Sequence, residues 1–287
     1  MKTTPRFDLD TPYPVTPAQI QFFRDNGYIK LKNVLSADLL AYYGAAITNK
    51  VTELNTLTVP MEQRTTYQKA FLQIMNLWTK SAIVKEFVMS KRLARLAAVL
   101  MGTRGVRLYH DQALYKEPGG GLTPWHADQY YWPLSNANAC TVWIPLQATP
   151  LSMGPLAFSA RSHRLQMGRD LAISDASEQK ISKLLLEQQL PLDETPFDLG
   201  EVSYHYGWTF HRAGANSSPA PRRVMTIIYM DHDMRLIQPR HQHHQWDRDH
   251  WCPGAKVGEV IATPLNPVLW SQTEPPARAR QLLPPEP

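Results

Sequence analysis

Long apolar runs are missing from this 287-residue chain. No stretch approaches the roughly 20 consecutive apolar residues that cross a bilayer, which argues against membrane-spanning helices. Cysteine is scarce. Cys140 and Cys252 lie far apart and in no CxxC arrangement, so neither a zinc site nor a disulfide framework is indicated. Both are expected to be reduced, packed thiols. Runs of five or more like charges are also absent. The 30 basic and 25 acidic residues are dispersed, leaving a net +5 without the basic stripe that nucleic-acid binding requires. The surplus reads as a solubility feature, or as a mild attraction for anionic small molecules such as a dicarboxylate. The segment Met1–Asp8 carries no apolar block of a secretory signal. The expectation is a soluble, cytoplasmic protein with a small-molecule partner, no nucleic acid and no membrane.

What is present suits a folded enzyme. The hydrophobic share of 43% and charged share of 19% are those of a globular protein, long enough to bury a substantial core. The chain reads as one domain over 1–287, with loosely held tails at 1–15 and from about 273 to 287. Thr16, Pro17 and Gln19 supply an N-cap, a first-turn proline and a capping box, and Asn26-Gly27 a stop. Residues 27–32 alternate as a half-buried strand should. Ser36 starts a second helix running to about 55. Phe71, Ile74 and Leu77, then Leu93, Leu96 and Leu100, recur at helical spacing over roughly 67–101.

After Gly102 the pattern changes to short β-like runs broken by Gly, Pro and Asn: 106–109, 140–146 and 224–230 are the clearest. Many short strands with irregular loops indicate a sandwich or jelly roll. One helical insertion interrupts them, with Asp175 and Glu178 read as its capping box ahead of Ile181, Leu184 and Leu185.

Pro124-Trp125-His126-Ala127-Asp128-Gln129 carries the first chemical signal. On a strand, His126 and Asp128 project from one face about 7 Å apart. An imidazole beside a hard carboxylate suits iron(II), and two His with one carboxylate leave three coordination positions open. His211 closes a later β-like run, and Arg222 opens the next across a turn-rich connection. If those strands are adjacent and antiparallel, both side chains enter one barrel. Arginine's planar fork would then pair with a carboxylate of a dicarboxylic co-substrate.

On these residues the chain resembles the phytanoyl-CoA dioxygenase family. The matching marks are Thr16 to Lys32, His126-Ala127-Asp128, Gly154-Pro155-Leu156, Ser162-His163 and Gly200-Glu201. They continue with His211, Asn216, Arg222 and Pro264-Leu265-Asn266-Pro267. The resemblance implies a mainly β protein with flanking helices: a double-stranded β-helix (jelly roll, cupin-like) core behind N-terminal helices. It implies iron(II) on His126, Asp128 and His211, 2-oxoglutarate as co-substrate with Arg222 on its distal carboxylate, and O2 as oxidant. It further places Thr141 near the other carboxylate. Hydroxylation of an unactivated C–H bond in a small molecule, a secondary metabolite by preference, is the expected reaction. Halogenation is not, because halogenating relatives replace the carboxylate ligand that Asp128 supplies here.

Weaker assignments follow from position. Gln112 and Lys116 lie on the strand before the His-Asp pair and would face the same cavity as cofactor-binding residues. Tyr130, Tyr131 and Trp132 follow the pair and would line the substrate pocket. His205 competes with His211, and Arg223 with Arg222. His241, His243, His244 and His250 read as a solvated loop, and Gly119-Gly120-Gly121 as a bend. A non-catalytic cupin-like binding protein and a metal-dependent hydrolase are the competing functions, and a monomer or homodimer the expected assembly.

Overall fold

Thr16 accepts the Gln19 N–H while Gln19 accepts the Thr16 N–H, the reciprocal pair that starts α1 (Pro17–Asn26). The computed structural model describes residues 7–272. Gly27, at φ 85°, ends α1 and turns the chain into β1 (Tyr28–Leu31). A Cβ at Gly27 would collide with His163 and Thr209, so the turn requires glycine twice over. Ser36 caps α2 (Ala37–Leu54). There follow α3 (Thr66–Ala70), β2 (Leu72–Met75), α4 (Ala82–Val88) and α5 (Lys91–Met101).

The β region comprises β3 (Gly105–Lys116), β4 (Thr123–His126), β5 (Ala139–Pro145), β6 (Leu156–Ser159), β7 (Leu192–Asp193), β8 (Val202–Tyr206), β9 (His211–Ala213), β10 (Arg222–Asp231) and β11 (Val268–Ser271). Two helices are inserted, α6 (Asp175–Glu187) and α7 (Gln242–Trp251). The pairing is antiparallel throughout. The larger sheet runs β1-β8-β5-β10-β3-β11 with β2 also on β3, and the smaller β4-β9-β6-β7. This is the expected mainly β, double-stranded β-helix architecture with flanking helices.

The period of two along the strands decides where the site lies. Cys140, Val142 and Ile144 of β5, with Met225, Ile227 and Tyr229 of β10, pack against Leu93, Leu96 and Leu100 of α5. The alternate residues, Thr141, Trp143, Arg222 and Thr226, turn inward and line the cavity facing the smaller sheet. Helices therefore seal one face of the larger sheet and leave the other for chemistry. Among the described residues no helix is long and apolar enough to cross a membrane. Both cysteines are buried and free.

Several expectations need correction. The 67–101 region is not continuous helix: Leu72–Met75 form β2 because the edge of β3 at Gln112–Tyr115 takes them up. Residues 7–15 are not loose. Leu9 is buried, its carbonyl receives the Arg92 N–H and the Ser90 hydroxyl, and Arg92 also reaches Thr11 and Asp8. Residues 1–6 and the expected tail at 273–287 lie outside the described residues. The box at α6 is Ser174 with Ser177, which frees Asp175 and Glu178 for other partners. Residues 242–251 form α7 and not a solvated loop, with His241 as its N-cap.

Candidate active site

His126 and His211 are directly opposed in the register of β4 and β9, so sheet pairing alone brings their rings to 4.1 Å between centroids. Asp128 joins them by a different route from the one its spacing suggests. β4 ends at His126, Ala127 remains extended, and Asp128 opens a single 3-10 turn over Asp128–Tyr130. That turn is held by the Gln129 N–H on the Gly207 carbonyl and the Gln129 amide on Asn136. Asp128 Oδ1 then stands 3.6 Å from both His126 Nε2 and His211 Nε2. One ligand atom from each of the three residues lies within 4.8 Å of the others.

The surroundings prepare these atoms for a cation. His126 Nδ1 is 2.7 Å from the Pro124 carbonyl and His211 Nδ1 is 3.0 Å from that of Thr209. A ring N–H donated there leaves each Nε2 lone pair facing Asp128. Asp128 Oδ2 accepts the Thr141 hydroxyl at 2.9 Å and faces His205 Nε2 at 3.3 Å. Burial favours the neutral acid, but the surrounding imidazoles of His211, His126 and His205 hold Asp128 well below the usual carboxylate range. Burial, reinforced by His126 and His205, keeps His211 neutral by pushing it well below the ordinary histidine range. Deprotonated carboxylate and neutral imidazole are the forms that ligate a metal. The donor set fits iron(II).

Arg222 is buried beside the same cavity, at the start of β10. It lies in the larger sheet while His211 lies in the smaller, so the two face each other across the sandwich and are not strand neighbours. One Nη donates to the Gly154 carbonyl at 2.5 Å, and Nε is buried with no partner among the described residues. Burial lowers its pKa to about 10, leaving a cation with no carboxylate to meet it. A keto-diacid fits that deficit. Arg223 points elsewhere, to Gln147.

The remaining expected residues divide. Thr141, Gln112 and Trp132 line the cavity, which measures about 670 Å³. Gln112 accepts the Gln73 amide, which in turn holds Tyr67. Lys116 does not reach the cavity. Its Nζ is spent on the Gly121 and Gly214 carbonyls at 2.7 and 2.6 Å, fixing the bend before β4. Burial, with Arg222 nearby, lowers its pKa to about 6. Tyr130 also turns away and stacks on His241 at 4.6 Å. Tyr131, expected there as well, does line the cavity and accepts the Ile173 N–H. His205 stands behind Asp128 as its buttress.

Tyr67, His110, Trp246, Asp247 and Trp251, none of them singled out in the sequence, and His243, expected on a solvated loop, all line the cavity. The last four sit on α7 at helical spacing, a period that the histidine-rich composition masks. Two of the marks that carry the resemblance prove to be scaffold. Gly154, at φ 66°, touches Gly214 so closely that any Cβ is excluded. Asn216 donates to the Lys116, Glu117 and Ala220 carbonyls.

Comparison with known proteins adds the following. A family model described as phytanoyl-CoA dioxygenase (PhyH) matches residues 23–224. A probable alpha-ketoglutarate-dependent hypophosphite dioxygenase from Stutzerimonas stutzeri is 26% identical over 223 residues, 72% of this chain and 76% of that protein. An ectoine dioxygenase from Sphingopyxis alaskensis is 22% identical over 250 residues, 79% of each. Among solved structures, a non-heme alpha ketoglutarate dependent carbocyclase from nogalamycin biosynthesis superposes with TM-score 0.72. It is 22% identical, over 90% of this chain and 99% of that one. An epimerase in complex with Fe3+, alpha ketoglutarate and nogalamycin RO gives TM-score 0.74 at 24% identity, over 88% of this chain and 98% of that one.

Proposed function

This chain belongs to the phytanoyl-CoA dioxygenase family and is an iron- and 2-oxoglutarate-dependent dioxygenase, and we propose that it hydroxylates an unactivated C–H bond of a small molecule. The observation that carries this reading is one cavity holding both a His-Asp-His donor set and a buried, unneutralised arginine. His126, Asp128 and His211 would hold the ferrous ion, and Arg222 the distal carboxylate of 2-oxoglutarate. Bound together, iron and the keto acid supply the oxidising chemistry, coupling the use of O2 to decarboxylation into succinate and carbon dioxide.

The protein's own contribution is placement and exclusion of water. Thr141 and His205 fix Asp128 Oδ2 and thereby aim Oδ1 at the two imidazoles. The Pro124 and Thr209 carbonyls set both ring tautomers. Trp143, beneath the Arg222 guanidinium at 5.5 Å, keeps that cation flat and dry. Phe71, Trp132 and Ile173 provide apolar wall around a reactive centre.

A secondary metabolite is the favoured substrate class, in keeping with superposed enzymes that act in nogalamycin biosynthesis. Two free, buried cysteines suit a reducing, cytoplasmic setting. The test is succinate release by the iron-loaded protein with 2-oxoglutarate, O2 and a substrate panel. Asp128→Ala and His211→Ala should abolish iron binding and succinate release together; full activity in either would overturn the assignment. Activity supported by zinc without 2-oxoglutarate would point to a hydrolase instead.

A further inference from the structure

Tyr109 and His110 are consecutive in β3, yet both turn to the inner side of the sheet. Ile228 pairs with His110 but Tyr229 pairs with Leu108, so Tyr109 is the extra residue of a β-bulge. Leu108 packs with the helix-covered core, whereas Tyr109 packs with Ile228 and Met230 and His110 lines the cavity. Asn266 fastens the bulge by donating to the Leu108 and Tyr109 carbonyls, both at 3.1 Å.

The bulge delivers Tyr109 to Asp247. The phenol donates to Asp247 Oδ2 at 2.9 Å, from β3 to α7. Asp247 is 5% exposed and lines the cavity, and among the described residues it has no cationic partner and no donor to Oδ1. His110 lines the same cavity, 4% exposed, with Nδ1 buried and without a hydrogen bond and its ring 5.1 Å from Trp251, one turn of α7 beyond Asp247. Trp132, Trp246 and Trp251 complete this end of the cavity. The only other acidic group in the lining is Asp128, which the metal triad uses. Arg222 lies six register positions along the paired strands from His110, about 20 Å of strand.

We propose that Asp247, His110 and the neighbouring indole rings form a subsite for a positively charged amine, so that the substrate is a small organic cation. The inference rests on the reading of this cavity as the place where substrate is oxidised, and it names the class of that substrate. A carboxylate oxygen without a donor calls for an N–H group. Aromatic faces attract a cation at the same spot. An anion would oppose ionisation of Asp247, a neutral ligand would leave it the uncharged acid, and only a cation gives the ionised carboxylate a partner. Burial of this unpaired carboxylate raises its pKa to about 8, a shift that a bound ammonium would reverse.

The experiment is anaerobic equilibrium dialysis of the iron(II)-loaded protein at saturating 2-oxoglutarate. The probes are tryptamine, tryptophol and indole-3-propionate, which share an indole and differ in end-group charge. Tryptamine should bind at least about tenfold more tightly than tryptophol, with the propionate weakest, as a charged hydrogen bond in a dry site requires. Asp247→Asn should bring tryptamine to the tryptophol level, while Tyr109→Phe, which keeps the carboxylate, should preserve the preference. Equal binding, an inverted ranking, no binding of any probe, or a ranking that persists in Asp247→Asn would each overturn the proposal. The wild-type ranking decides by itself should Asp247→Asn not fold. Absence of 2-oxoglutarate-dependent succinate formation, with the ranking intact, would instead strike the dioxygenase reading and leave the amine subsite standing.

Discussion

Glu178 and Arg212 meet at 3.2 Å between α6 and β9, and the second oxygen of the same carboxylate accepts the Trp125 N–H at 2.8 Å. Trp125 precedes His126 and Arg212 follows His211. A single carboxylate on an inserted helix therefore ties together the two strands that carry the imidazoles. The Arg212 guanidinium also lies 5.0 Å from the centre of the Trp125 ring, which closes the arrangement on itself.

Glu178→Ala should accordingly loosen iron binding more than it loosens the fold. The ion pair is partly exposed and contributes little alone, while the bond to a backbone N–H dominates. Loss of both predicts about 1–2 kcal/mol of destabilisation. Glu178→Gln keeps an acceptor for Trp125 and should lose less. Thermal unfolding and an anaerobic iron titration check both, and an unchanged iron affinity in the alanine variant would refute the tie.

Arg222→Met should split stability from binding. In the ligand-free protein it removes a buried cation that lacks a counter-charge, so the melting temperature should hold or rise. The 2-oxoglutarate requirement should increase by roughly thirtyfold or more, the range for losing one partner of a buried charge pair. Arg223→Ala, which loses only the contact to Gln147, should leave that requirement unchanged. The converse result, with Arg223 the sensitive position, would relocate the anchor.

Legibility in the sequence followed the physical range of each signal. Local signals held: the Thr16 box, the Ser36 cap and the alternation along β5 and β10 depend on residues close in sequence. The His126–His211 pairing was accessible through resemblance and motif. Its cause, direct opposition across β4 and β9, is non-local. Helical spacing misplaced β2, because a four-residue run satisfies either period and the free edge of β3 settles the matter. Lys116 and Tyr130 were misjudged for a similar reason. Their strand or turn position was right, but carbonyls of the Gly121 and Gly214 bends claim one and His241 the other. The α7 face stayed hidden since a segment rich in histidine and aspartate reads as a solvated loop until a cavity is known to lie beneath it.

Acid should destabilise the iron-free protein partly through His110. Burial lowers its pKa from 6.5 to about 4, so the unfolded chain takes up this proton first. Stability from this group is fully present above pH 6.5 and is lost as pH falls toward 4. Between pH 7 and 5 the loss amounts to about 2 kcal/mol. His110→Gln should reduce the drop in unfolding free energy over that interval by a similar amount. Urea titrations at the two pH values provide the comparison, and parallel losses in both proteins would show that His110 is not the group responsible.

Asn266 offers a last test, because it lies outside both the cavity and the metal triad while holding the bulge that shapes one end of the site. It is fully buried, its amide serves the Leu108 and Tyr109 carbonyls, and its own carbonyl takes the Thr263 hydroxyl at 2.6 Å. Asn266→Ala strands two buried acceptors and should cost about 2–4 kcal/mol. Asn266→Asp preserves the size but turns an anion toward two carbonyl oxygens, so it should cost more. If the bulge is what aims Tyr109 and His110, a folded Asn266→Ala protein should lose its preference for tryptamine over tryptophol while binding 2-oxoglutarate as before. Urea unfolding and the dialysis ranking separate the two effects: a stability cost with the preference intact would confine Asn266 to a structural role.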